Sequence, residues 1–130
     1  RTEIYKYPDE KHTLWDYLKT VQSREDVIIL QNWNEIRTLA NNYAGIVRSD
    51  ERLLRAKKKI DLITEEINYY YTKYRPNKNF IELRNIAVVL KIIIESSLQR
   101  KESRGAYYNE DHTQQNKIVK DTVLNRYNQI

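Results

Sequence analysis

The chain has 130 residues, a formal net charge of +5, two glycines, two prolines and no cysteine. That length suits one domain with its own core, and the missing thiols exclude disulfides and thiolate metal sites, as expected of a reducing, cytoplasmic setting. The longest apolar stretch, residues 86–94, is broken by Lys91 and is too short to cross a bilayer. The chain opens on Arg1 and contains no methionine, which reads as a piece of a longer protein. So few glycines and prolines leave few turns, and the predicted fold class is all-α. The expected architecture is a spectrin-repeat-like, three-helix antiparallel bundle over residues 23–104, with an N-terminal arm at 1–22 and a C-terminal turn and short helix at 105–130.

In chain order, the arm carries Tyr5, Tyr7, Trp15 and Tyr17 without a clean period, with room for a short helix from His12 to Thr20. The first long helix is predicted over about 24–44. Ser23 caps it, Glu25 and Asp26 favour its positive end, and Ile29, Trp33, Ile36, Ala40 and Tyr43 recur at a 3–4 spacing. Asn41, Asn42 and Gly45 mark its end, with Gly45 able to take a left-handed cap. The second helix is predicted over 50–74, capped by Ser49 or Asp50, with the stripe Leu53, Ala56, Ile60, Ile63, Ile67, Tyr70 and Tyr74, and is stopped by Pro76. The third is predicted over 79–101 and is apolar on nearly every side between Ile86 and Ile94. Two partner helices cannot cover such a helix, so an exposed apolar patch at Val88, Val89, Ile92 and Ile93, and self-association through it, are expected. A fourth helix is predicted from Gln114 to Tyr127, with Ile118, Val119, Val123, Leu124 and Tyr127 on one side.

Little in the chain suggests chemistry. Gly45 and Gly105 stand 60 residues apart, so no glycine-rich turn exists to cradle a dinucleotide pyrophosphate. His12 and His112 are the only histidines; neither has ligand spacing, and both read as solvated loop residues. The basic run Arg55-Ala56-Lys57-Lys58-Lys59, with eleven tyrosines in the chain, could form a nucleic-acid surface. Asp61, Glu65 and Glu66 on the following turns make a solvated, mixed-charge face the better reading, so a nucleic-acid partner is not expected.

Three segments carry a resemblance. Arg100-Lys101-Glu102-Ser103-Arg104-Gly105-Ala106-Tyr107-Tyr108 resembles the R-K-E-S-R-G-x-H-Y signature of the succinate dehydrogenase, fumarate reductase and L-aspartate oxidase flavoprotein superfamily. Glu82-Leu83-Arg84-Asn85 is similar to the E-L-R/Q-N segment that opens the preceding helix there. Gly45-Ile46-Val47-Arg48-Ser49-Asp50-Glu51-Arg52-Leu53 resembles a V-G-I-V-R-S-x-x-x-L segment that points to the aspartate-oxidising branch. Together they span residues 45–108 and lie in the helical C-terminal domain of these enzymes. The resemblance implies a parent that oxidises L-aspartate to iminoaspartate with FAD, early in NAD synthesis, and a chain that is itself non-catalytic and holds no cofactor. It further implies that the flavin-binding domain of the same parent is the partner. The dicarboxylate enzymes of the superfamily, or a free-standing helical module for protein or nucleic acid, are the alternatives. Arg48, Glu82, Arg84, Asn85, Glu102, Ser103, Arg104, Gly105 and Tyr107 are the expected interdomain or structural motif residues. Arg104 is expected either to cap the third helix or to fork onto the neighbouring domain, with Glu102 as an ion-pair partner. Tyr107 stands where the family pattern has histidine.

Overall fold

The protein is described from a computed structural model over residues 26–125. Three helices, α1 (Asp26–Tyr43), α2 (Asp50–Lys73) and α3 (Lys78–Gln99), pack against one another, and α2 against α3 is the most extensive contact. The expectations for the N-terminal arm and its short helix lie outside the described residues.

Each boundary has a local cause. Ser49 is extended at φ −140° and its Oγ accepts the Arg52 N–H at 3.4 Å, while Asp50 and Glu51 occupy the first turn of α2. Tyr74 is extended, and Pro76 two residues later cannot continue the helix. Asn77 then caps α3, its Oδ1 accepting the Phe80 N–H at 2.9 Å. Gly45 differs from its expected left-handed cap, since Gly105 is the only glycine with positive φ. Gly45 serves close approach instead, because a Cβ there would lie 2.9 Å from the Asn41 carbonyl oxygen.

The core lies where the periodicity puts it. Leu53, Ala56, Ile60, Ile63 and Ile67 of α2 are buried against Ile29, Ile36 and Leu39 of α1 and Phe80, Leu83, Ala87, Leu90 and Ile94 of α3. Each large side chain so buried contributes about 1.5–3 kcal/mol. Trp33, Ala40, Tyr43 and Tyr70 pack around it, partly exposed. Two ion pairs tie the charges of α3 inward to α2: Lys91 Nζ lies 2.7 Å from Asp61 Oδ1, an oxygen with no other partner, and Lys57 Nζ lies 3.8 Å from Glu95.

Beyond the helices the chain makes one two-stranded parallel pairing. β1 (Val47–Arg48), between α1 and α2, pairs with β2 (Tyr108–Asn109), after α3, with Val47 opposite Tyr108 and Arg48 opposite Asn109. The fourth helix predicted over Gln114–Tyr127 does not form at 114–125, which is irregular. Its backbone is held by side chains from the end of α3, described below. Ile118, Val119 and Val123 are at least 65% exposed, so the face that would have driven helix formation has nothing to pack on among the described residues.

Candidate functional site

The chain leaving α3 is organised around a buried carboxylate. Arg100 ends the helix, extended at φ −82° and ψ 102°. Two residues later Glu102 is buried, with a side chain only 4% exposed. Its Oε1 accepts from Arg100 Nη1 at 3.2 Å; its Oε2 accepts from Arg104 Nε at 3.1 Å and from the Asn116 backbone N–H at 2.9 Å. The Asn116 amide first, and the Arg104 guanidinium next, hold the Glu102 carboxyl below its usual range. Arg104 also donates to the Asn116 carbonyl at 2.8 Å, and Arg100 reaches Thr122 Oγ1 at 3.2 Å and the Lys120 carbonyl at 3.5 Å. One acid and two arginines thus strap residues 116–122 across the end of the bundle.

Ser103 knots the next layer. Its hydroxyl accepts the Asn109 N–H at 2.9 Å and donates to the His112 carbonyl at 2.7 Å, while its own N–H donates to the Gln114 carbonyl. Arg104 and Tyr107 exchange backbone hydrogen bonds of 2.9 and 3.1 Å around Gly105. Gly105 sits at φ +60°, where an L side chain is strained. Tyr107 donates its hydroxyl to the Ser97 carbonyl at 2.8 Å, and its ring lies 4.8 Å from the Arg48 guanidinium. Arg48 donates to the Ala44 carbonyl at 3.2 and 3.4 Å. A cation over an aromatic face and a charged donor on a carbonyl therefore join the ends of α1 and α3.

The third layer is at the N-terminus of α2. Asp50 Oδ1 accepts from Asn109 Nδ2 at 3.0 Å, and its Oδ2 lies 2.7 Å from Lys101 Nζ and 2.8 Å from His112 Nε2. Asp111 Oδ2 accepts the Asp50 N–H at 2.7 Å. Burial opposes the Asp50 charge, but the bonds from Lys101, His112 and Asn109 outweigh it and hold the carboxyl far below the usual carboxylate range.

The expected residues therefore fall into two groups. Arg48, Glu102, Ser103, Arg104, Gly105 and Tyr107 converge in one hydrogen-bonded turn. Glu82, Arg84 and Asn85 do not join it; they are exposed at the far end of α3, roughly 25–30 Å away along the axis. There Glu82 pairs loosely with Lys78 at 3.9 Å, and the Arg84 guanidinium lies 4.9 Å from the Tyr71 ring. Arg104 does not cap α3, as one expectation had it. The Ser97 carbonyl takes the Tyr107 hydroxyl, and the Arg104 fork goes to Glu102 and Asn116. His112 is no solvated loop residue but half-buried on Asp50.

Asn109 escapes sequence reasoning, while Asp50 reads there only as a helix cap and part of a matching segment, Lys101 only as part of the segment at 100–108, and His112 only as a loop residue.

The side chains of this site are engaged chiefly with one another and with nearby backbone. Among the described residues, no group of three or more acids, histidines or cysteines could hold a metal ion. The residues do not fit a flavin pyrophosphate either. The positive end of α2 already faces Asp50, Glu51 and Asp111 carboxylates, and no glycine-rich turn precedes it. No helix among the described residues is long and apolar enough to cross a membrane.

A three-helix unit whose last helix ends in this knotted Glu-Ser-Arg-Gly turn defines a helical bundle domain. The chain belongs to the family of fumarate reductase flavoprotein C-terminal domains, whose model matches residues 33–129. It is 46% identical over 110 residues to L-aspartate oxidase of Acinetobacter baylyi, and 43% identical over 110 residues to that of Pseudomonas aeruginosa. Each alignment covers 85% of this chain and 20% of the relative. An uncharacterised FAD-dependent oxidoreductase of Methanocaldococcus jannaschii is 40% identical over 78 residues, 59% of this chain and 14% of the relative. The chain spans about a fifth of the length of the L-aspartate oxidases it matches.

Proposed function

We propose that this chain is the non-catalytic helical domain of a cytoplasmic, FAD-dependent L-aspartate oxidase, a parent that converts L-aspartate to iminoaspartate for NAD synthesis. On this reading the domain packs against the flavin-binding domain of the same protein, and all redox chemistry occurs there. The observation that carries the reading is the 46% identity to an L-aspartate oxidase across 85% of the chain. The geometry supports it. The side chains of Glu102, Ser103 and Arg104, which the resemblance singles out, are all hydrogen-bonded within the domain, as suits a motif that maintains shape.

The test is the full-length reading frame. The expected product is a yellow flavoprotein that consumes L-aspartate, while the 130-residue chain purified alone retains no flavin. A full-length protein that oxidises succinate and not aspartate would move the parent to the dicarboxylate enzymes. Stoichiometric flavin on the 130-residue chain would overturn the reading altogether.

A further inference from the structure

Resting on that parent assignment, we infer that the outward face of α3 is the surface on which the flavin-bearing part of the parent sits, with Asn85 at its polar end. The helix has two opposed faces. One carries Phe80, Leu83, Ala87, Leu90 and Ile94 into the core. The other carries Ile81, Asn85, Val88, Val89, Ile92 and Ile93, all exposed, the five apolar ones by 40–49% each. A surface helix ordinarily carries charge on such a face. Here the two charges between residues 86 and 98, Lys91 and Glu95, turn inward to Asp61 and Lys57. Beyond the exposed Lys78 and Glu82 of its first turns, the result is an uncharged apolar strip from Val88 to Ile93, about two turns, a composition that marks buried interfaces rather than solvated surface.

The opposite side of the bundle differs. The open groove between α1 and α2 exposes Leu30 and Leu62, but it intermixes them with Glu35, Lys59 and Glu66, which suits water.

Two features select the occupant. The chain spans only 20% of its relatives, and its family is the C-terminal part of a flavoprotein, so most of such a protein lies outside these residues. A second copy is the poorer fit, because two chains of formal charge +5 repel. Asn85 specifies the contact further. A carboxamide at the N-terminal end of this strip, one turn from the exposed Glu82, must both donate and accept once covered, so the flavin-bearing part must present amide-like or backbone groups opposite it.

Hydroxyl-radical footprinting of the full-length protein, at concentrations where it is monomeric, reads the surface directly. Val88, Val89, Ile92 and Ile93 are expected to label several-fold more slowly than Leu30 and Leu62. Ile92→Glu is expected to shed flavin during purification while keeping the helical content of wild type. Asn85→Leu is expected to do so more weakly, and Leu62→Glu not at all. Flavin-loaded protein whose α3 face labels as fast as Leu62 would overturn this inference and leave the parent assignment standing. Protection that disappears on dilution would also overturn it, by naming a second copy as the cover. Full-length protein without flavin would overturn the parent assignment and this inference together.

Discussion

The interior of the bundle and the knot beyond α3 are both buried, yet they are built from opposite materials. The bundle interior is isoleucine, leucine, alanine and phenylalanine drawn from three helices. The knot buries Glu102, Ser103 and Asn109, and its hydrogen bonds run mostly from side chains to backbone. Hydrophobic burial is non-directional, so any residue of similar volume serves. A hydrogen bond has a partner, a length and an angle, so losing one atom strands another. Stability in the first region is therefore spread over many contacts, whereas in the second it depends on single atoms.

The contrast can be tested by graded damage. Leu83→Ala, at a position 0% exposed, should cost about 2–5 kcal/mol by urea unfolding, and Leu83→Met less than about 1.5 kcal/mol. Ser103→Ala removes one oxygen and no packing of consequence. It strands the Asn109 N–H and the His112 carbonyl, and should cost about 1–3 kcal/mol. A loss below about 0.5 kcal/mol would show that the knot does not depend on single atoms. Tyr107→Phe keeps the ring beneath Arg48 but loses the bond to Ser97; roughly 0.5–1.5 kcal/mol is expected in the same titration.

The two regions should also differ in acid. Asp50 and Glu102 both have folded pKa values below their ordinary ones. Their contribution is therefore complete above the unfolded-state values, near pH 4–4.5, and declines as pH falls through the lower folded values. Wild type should lose stability over that range. Asp50→Asn should be less stable at neutral pH but show a shallower acid decline. An acid limb unchanged by the substitution would remove Asp50 from the account.

The same contrast governs what the sequence disclosed. The α2 stripe from Leu53 to Ile67, the Ser49 cap and the Pro76 stop were all legible, because each is a local pattern with a local cause. The exposed strip at Val88–Ile93 was legible too, as more apolar surface than two helices can cover. The knot was legible only as a resemblance in residues 100–108. Asp50 meets Lys101, Asn109 and His112 across more than 50 positions, and no periodicity records such a pairing. The predicted helix at Gln114–Tyr127 failed for a related reason. Its apolar spacing is real, but Arg100, Glu102 and Arg104 bind its backbone and side chains over 116–122 in an irregular path, at a distance a local pattern does not see.

The parallel register of Val47 with Tyr108 and Arg48 with Asn109 has a consequence for the order of folding. Parallel strands cannot be joined by a tight turn, and here the crossover is the whole of α2 and α3. The α2–α3 hairpin can zip from its short connection at residues 74–77 with little loop entropy to overcome. The pairing of β1 with β2 must wait until both helices have formed and aligned, since closing so long a loop brings no return before its ends meet. The β1–β2 pairing is thus a late event that registers completion of the bundle, and the Glu110 amide, bonded to the Arg48 carbonyl at 2.8 Å, becomes protected only in chains whose helices are already in place.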